Sequence, residues 1–290
     1  MQFLSSIPLV VTSALVIFSP LQEGGTTHVA QMIIRFLILA WAGGALALSI
    51  RQGRLTIPLL SVRYFVLVFL GFAVIATMFS PYAHPSRQWL FTIICYATLF
   101  YLLVSFVDRW EHVHTLTIVV VLMGVGEAAL TILQGLVWND MRPSGTFFNP
   151  NFLAGYLAVS WAILLSAAVY GYRRTAALHW LPISPTLWWF GVGASLGSLF
   201  LAVLLTQSRG GMIVVLVATV FIVMARYGWK VAGSCLVLLM VGGLLIPTPL
   251  RERVQAEHQQ NPVSYARLQM WQGALTQMAE HPLGIGLGLY

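Results

Sequence analysis

Arg209 stands in "LLTQSRGGMIVV" (Leu204–Val215), where one apolar run ends at Thr206 and another begins at Met212. Its guanidinium carries charge at every physiological pH. Gly210 and Gly211 follow it and open the next apolar helix. Their backbone N–H groups are therefore expected to be unpaired, at the positive end of a helix dipole. A cation beside such a terminus is unfavourable unless an anion sits there too, held by the guanidinium fork and the backbone donors together. A snorkelling interfacial Arg is the competing explanation, but it has no use for a glycine pair. The chemistry expected of this turn is recognition of an anion at a membrane surface.

Other charged positions join it. Arg142, in "MRPSGTFFNPN", is either a second cation over the same cavity or an interfacial Arg in a capped loop. Arg267, in "SYARLQMWQGAL", is either on the polar face of a surface helix or held over the cavity by a helix that Trp271 anchors. Glu127, in "VLMGVGEAALTILQG", is an ionisable residue inside an apolar run, which is a functional position by default. Pairing with an outer Arg is its expected role, with proton relay and a buried structural carboxyl as alternatives. Gln134 is expected to add a hydrogen bond. The glycines at 284, 286 and 288 alternate in "HPLGIGLGLY" and imply an unusual backbone. No strand precedes them, so a dinucleotide loop is rejected, and His281 reads as a loop residue. The two cysteines lie in apolar runs, the seven histidines are scattered, and no Asp pair has metal spacing. No metal and no cofactor are expected.

These residues need elements to position them. Of 290 residues, 59% are hydrophobic and 8% charged, with a mean hydropathy of +0.85. A soluble domain carries about 25% charged residues, so this chain has too little charge to cover a soluble surface. The fold class expected is all-α, a polytopic membrane bundle. Nine spans of roughly 20 apolar residues fall near 4–20, 30–50, 57–79, 88–107, 113–136, 151–171, 187–206, 210–226 and 230–247. The apolar N-terminus has no basic flank or clear cleavage site, so it reads as an uncleaved first span. Residues 1–247 are thus expected to form the bundle. Residues 248–290 would begin an outer loop with an amphipathic helix, its stripe made by Trp271, Ala274, Leu275 and Met278.

The formal net charge is +7, and Lys230 is the lone lysine beside fourteen arginines. These cations are scattered between apolar runs, which points to anionic lipid or a phosphorylated substrate rather than nucleic acid. One set of alternate loops holds doublets beside span ends, "RQGR", "YRR" and "RYGWK", and is placed in the cytoplasm with the N-terminus. The opposite, outer set holds Arg35, Arg87, Arg142, Arg209, Arg251, Arg253 and Arg267, more than orientation alone requires. In the outer loop before the sixth span, Pro143, Gly145 and Asn149-Pro150 are turn residues, and Asn151 is expected to cap that span.

Four motifs in order, "RPSGTFFNPNFLAGYLA" (142–158), "TQSRGG" (206–211), "YARLQMWQGAL" (265–275) and "HPLGIGLG" (281–288), resemble the O-antigen ligase and polymerase superfamily of bacterial membrane glycosyltransferases. The resemblance covers most of the chain and is weakest over the first hundred residues. It implies a metal-independent transfer of glycan from an undecaprenyl-diphosphate carrier at the outer, periplasmic face of the inner membrane. The acceptor is a lipid A–core sugar for a ligase, a growing polysaccharide for a polymerase, or a protein for related members. It implies that Arg209 and Arg267 hold the diphosphate, with Ser208, Gly210 and Gly211 in the same "SRGG" motif, and that Asn149 and Asn151 form the family's asparagine loop. The family pattern continues past the glycine run with two more spans and an outer His-Asn motif, whose histidine would be the general base. Residues 1–290 lack that motif, so the sequence is expected to be a fragment or a truncated form.

Diphosphate leaves readily, so the chemistry reduces to stabilising charge that grows on the bridging oxygen, which two arginines can do in place of a metal. The acceptor hydroxyl also needs a base, for which Glu127 and Asp140 are the fallbacks within this chain. The alternative function is a secondary transporter of small anions such as bicarbonate, which should gather ionisable groups near the midplane. An inactive membrane fragment is a third.

Overall fold

The computed structural model describes residues 2–51, 53, 61–107, 109–171, 184–245, 262–281 and 284–288. Ten α-helices run through them: α1 Gln2–Leu21, α2 His28–Arg51, α3 Arg63–Met78, α4 Ala83–Phe106, α5 Trp110–Leu136, α6 Pro150–Ser166, α7 Pro185–Leu205, α8 Arg209–Tyr227, α9 Trp229–Leu245 and α10 Pro262–Glu280. A π-helical turn, Ala167–Gly171, extends α6. Among the described residues, β-type pairing amounts to one bridge between Glu23 and Phe147.

Each of the nine expected spans falls on one of α1 to α9. Six of these helices are long and apolar enough to cross a membrane, and α1, α3 and α9 supply shorter apolar stretches. The chain is a multi-pass helical membrane protein. The third span was expected from residue 57; its helix begins at Arg63, and residues 57–60 lie outside the described residues. Also outside them are Arg54, Arg173, Arg174, Arg251 and Arg253, on which part of the orientation reading rests.

Backbone contacts group the chain into two compact units. The first comprises Met1–Val11, Met32–Asp108 and Gln255–Tyr290. Within it α3 packs on α4, and Arg35 of α2 reaches α4, its Nη2 donating to Thr92 Oγ1 at 2.6 Å. The alternating glycines lie against the start of α4. Gly284, Gly286 and Gly288 all have positive φ, a backbone that side chains disfavour. A Cβ on Gly286 would overlap Ser80 and Ser86, and one on Gly288 would overlap the Trp89 ring. Ser80 and Ser86 donate to the Ile285 and Leu287 carbonyls, each at 3.3 Å. The glycine run is thus a strap fitted to a helix corner, which accounts for the alternation without a ligand.

The second unit comprises Thr12–Gln31 and Arg109–Val254. Its centre is α6, which packs against α5, α7 and α8. Leu153, Leu157, Ala158, Trp161 and Leu164 are buried there against Leu199, Val203, Leu204 and Val215. Phe152, Gly155 and Val159 on its other face are exposed, so α6 is apolar on its outer side as well as on its packed side. Small residues allow the close approaches that membrane helices rely on. Gly124 of α5 faces Ser160 of α6, and Gly211 of α8 faces Ala154 of α6.

The register of α6 against α8 follows from two contacts. Gly211 meets Ala154 at one level, and Trp161 Nε1 donates to Thr219 Oγ1 at 2.9 Å two turns further on. Numbers rise together along both helices, so they run parallel and their N-termini lie side by side. The Gly210–Gly211 pair therefore divides. A Cβ on Gly211 would come within 2.6 Å of Ala154 Cβ, whereas Gly210 faces open space. Gly211→Ala should destabilise the detergent-solubilised protein by about 1–3 kcal/mol through overpacking, and Gly210→Ala should not. Equal melting temperatures for the two variants would contradict this helix contact.

Candidate functional site

At one end of the second unit, α5 and α7 finish and α6 and α8 begin. The connection from α5 to α6, residues 137–149, folds back among them. Pro143 is fully buried and lies near Gly135. Thr146 reaches Glu127, nine residues before the end of α5, which is about 14 Å down the helix at 1.5 Å per residue. An irregular backbone at such depth is tolerated only where protein groups satisfy its N–H and C=O.

Those groups come from a polar stripe on α5. Glu127, Thr131 and Gln134 follow i, i+4, i+7 spacing on one face. Gln134 pairs with both sides of one peptide residue: Gly145 N–H donates to its Oε1 at 2.7 Å, and its Nε2 donates to the Gly145 carbonyl at 2.8 Å. The Thr146 N–H donates to Glu127 Oε2 at 3.0 Å. The Thr146 hydroxyl lies 2.6 Å from both Glu127 Oε1 and the Pro20 carbonyl. Gly145 is required here twice over, by its φ of +60° and because a Cβ would stand 2.5 Å from Glu127 Oε2.

This corrects the role expected of Glu127. It is 3% exposed and both carboxylate oxygens face Thr146, not an outer arginine. The expected hydrogen bond from Gln134 is present, made to the loop. Asp140 is exposed, and its Oδ1 accepts from the Arg142 N–H at 3.0 Å.

Arg142 emerges from the buried Pro143 toward the helix ends. Its Nε donates to the Thr206 carbonyl at 3.2 Å, and its Nη2 donates to Asn151 Oδ1 at 2.9 Å. It therefore bridges the C-terminus of α7, where a cation is favourable, and the first turn of α6. Gln207, which the sequence reading passed over, ties the same parts together: its Nε2 donates to the Met141 carbonyl at 2.6 Å.

Capping is shared differently than expected. Asn149, not Asn151, caps α6; its Oδ1 accepts from the Asn151 N–H at 2.8 Å, and Pro150 takes the first helical position, where no N–H is needed. Asn151, in the first turn, is exposed and leaves its oxygen to Arg142. Ser208 caps α8, its Oγ accepting from the Gly211 N–H at 3.3 Å. Gly211 is thus already capped as well as packed, which removes it from the expected pair of outward donors. Arg209 and Gly210 are both exposed in the first turn of α8. The structure brings together Arg142, Asn149, Asn151, Ser208, Arg209 and Gly210 at two level helix N-termini. Arg267 lies in α10, in the first unit.

Residues 194–290 match the family model described as O-antigen ligase. No curated protein and no solved structure matches the chain. The match bears out the resemblance to the O-antigen ligase and polymerase superfamily and supports glycan transfer in O-antigen biosynthesis in general terms. The matched segment contains the "SRGG" turn, Arg267 and the glycine run, whereas Glu127, Arg142, Asn149 and Asn151 precede it. Arg142 and Gln207 join that earlier loop to the segment by direct hydrogen bonds.

Replacing Gln134 by Leu leaves the half-buried Gly145 N–H and C=O unpaired, at up to about 1–3 kcal/mol for each group. The Gln134→Leu protein should melt measurably lower in detergent, and Gln134→Asn should not restore it, because the shorter amide cannot span the peptide. Unchanged melting would show that the loop backbone does not depend on Gln134.

Proposed function

We propose that this end of the second unit binds the diphosphate of an undecaprenyl-diphosphate-linked glycan, and that the protein transfers the glycan to a lipid A–core or growing-polysaccharide acceptor at the periplasmic face of the inner membrane. The observation that carries the reading is the level pair of N-termini, α6 and α8, with Arg142 and Arg209 beside them. Parallel helices with adjacent positive ends repel, and two guanidinium groups add to that charge. An anion offsets all four terms at once, each helix end contributing about 0.3–1 kcal/mol and each charge-assisted hydrogen bond about 1.5–3 kcal/mol.

Arg209 supplies the fork for the diphosphate, the Gly210 N–H lies beside it, and Arg142 holds Asn151 at the opposite helix. Negative charge grows on the bridging oxygen as the glycosidic bond breaks, so these contacts strengthen toward the transition state. Arg267 joins this reading on its motif alone, as the arginine ahead of Trp271. The acceptor hydroxyl passes its proton to a base, for which the resemblance implies a histidine beyond the glycine run. Glu127, engaged beneath the loop, is poorly placed to line a transport path, which weighs against the anion-transporter alternative.

Arg209→Lys should lower glycan transfer at least about tenfold, or ~1.4 kcal/mol, because an ammonium cannot make the bidentate contact. Transfer at the wild-type rate would remove Arg209 from the diphosphate site. Added EDTA should leave transfer unchanged; a metal requirement would overturn the assignment of charge stabilisation to arginine.

A further inference from the structure

Glu127 is the one carboxylate enclosed in α5, and the chemistry above does not use it. We infer that Glu127 and Thr146 form a latch that positions Arg142 and Asn151 for the diphosphate, an inference that rests on the proposed function. The path runs through named contacts. The Glu127 carboxylate meets the Thr146 N–H and hydroxyl at 3.0 and 2.6 Å. Thr146 also reaches the Pro20 carbonyl at 2.6 Å, and the Glu23–Phe147 bridge lies alongside. The last turn of α1, the residues just after it and the core of α5 therefore hold the loop from two sides.

Thr146 lies between the two parts of the anion site. Four residues before it, Arg142 spans Thr206 and Asn151. Three residues after it, Asn149 caps α6 and fixes the Asn151 N–H. The Phe147 N–H donates back to the Ser144 carbonyl at 2.9 Å, and the Phe147 ring packs 5.5 Å from Tyr156, so the turn between these parts is tight. If Thr146 is freed, the guanidinium and the cap both lose the geometry that places them at the helix ends. Neither Glu127 nor Thr146 needs to touch the ligand; both are positioning residues.

The test is binding of a tail-labelled fluorescent farnesyl diphosphate to the detergent-purified protein, with the melting temperature recorded for each variant. Thr146→Val keeps the shape and removes the hydroxyl; it should weaken binding about tenfold, whereas Thr146→Ser should bind within about twofold of wild type. Arg142→Ala should weaken binding on its own. The Thr146→Val/Arg142→Ala double variant should lose less affinity than the two single losses multiplied together, because part of the Thr146 effect passes through Arg142 and coupled residues are not additive. A purely structural role would lower the folded fraction and leave the affinity of the folded protein unchanged. Wild-type affinity in Thr146→Val, or additive losses in the double variant, would overturn the latch and leave the diphosphate reading standing. Failure of the wild-type protein to bind the probe would overturn the diphosphate reading, and the latch with it.

Discussion

An irregular backbone cannot lie inside an apolar helix bundle unless its N–H and C=O groups find partners. Residues 143–149 are such a backbone, and the polar stripe of α5 meets the requirement. Gln134 takes both groups of Gly145 and Glu127 takes the Thr146 N–H. In an otherwise apolar helix these side chains would be costly to desolvate; here each satisfies a group that would be costly to leave alone. The loop enters because α5 is polar on that face, and α5 is polar there because the loop enters.

The rest of the bundle end follows from where this loop is held. Pro143, buried beside Gly135, delivers Arg142 to the C-terminus of α7 and the first turn of α6. Asn149 caps α6 one residue before its start, and Ser208 does the same for α8. Small residues where α6 meets α8 keep the two parallel helices close, so their N-termini stay level. The positive potential of the site is therefore a product of packing deep in the unit as much as of the arginines at its rim.

Much of this was legible in the sequence, for identifiable reasons. Long apolar runs specify spans by composition alone, so all nine fell on helices. The "SRGG" turn was recognisable because a permanent cation beside two glycines conflicts with an ordinary membrane hairpin. The meaning of each glycine was not recognisable: Gly211 faces Ala154, a tertiary contact that no local pattern records, while Gly210 faces open space. Glu127 was found for its charge but given the wrong kind of partner, since charge suggests an ion pair and the structure supplies a threonine and a peptide N–H. The i, i+4, i+7 spacing of Glu127, Thr131 and Gln134 was the available signal that α5 faces something polar and continuous. Asn149 and Asn151 have equal capping propensity, and only the position of Pro150 in the first turn decides between them. The glycine strap was flagged as unusual backbone, but Ser80, Ser86 and Trp89 lie some two hundred positions away and carry no local sign of it.

Hydrogen exchange at the amides of Gly145 and Thr146 tests the central claim most directly. Both belong to a connection between helices, where exposed amides exchange freely, yet both donate to α5 side chains, one the buried Glu127 and the other the half-buried Gln134. The account predicts that they exchange as slowly as the flanking amides within α5 and α6, opening only with the unit as a whole. Exchange at the rate of an exposed loop would mean that the backbone is not held by Glu127 and Gln134, and would contradict the account.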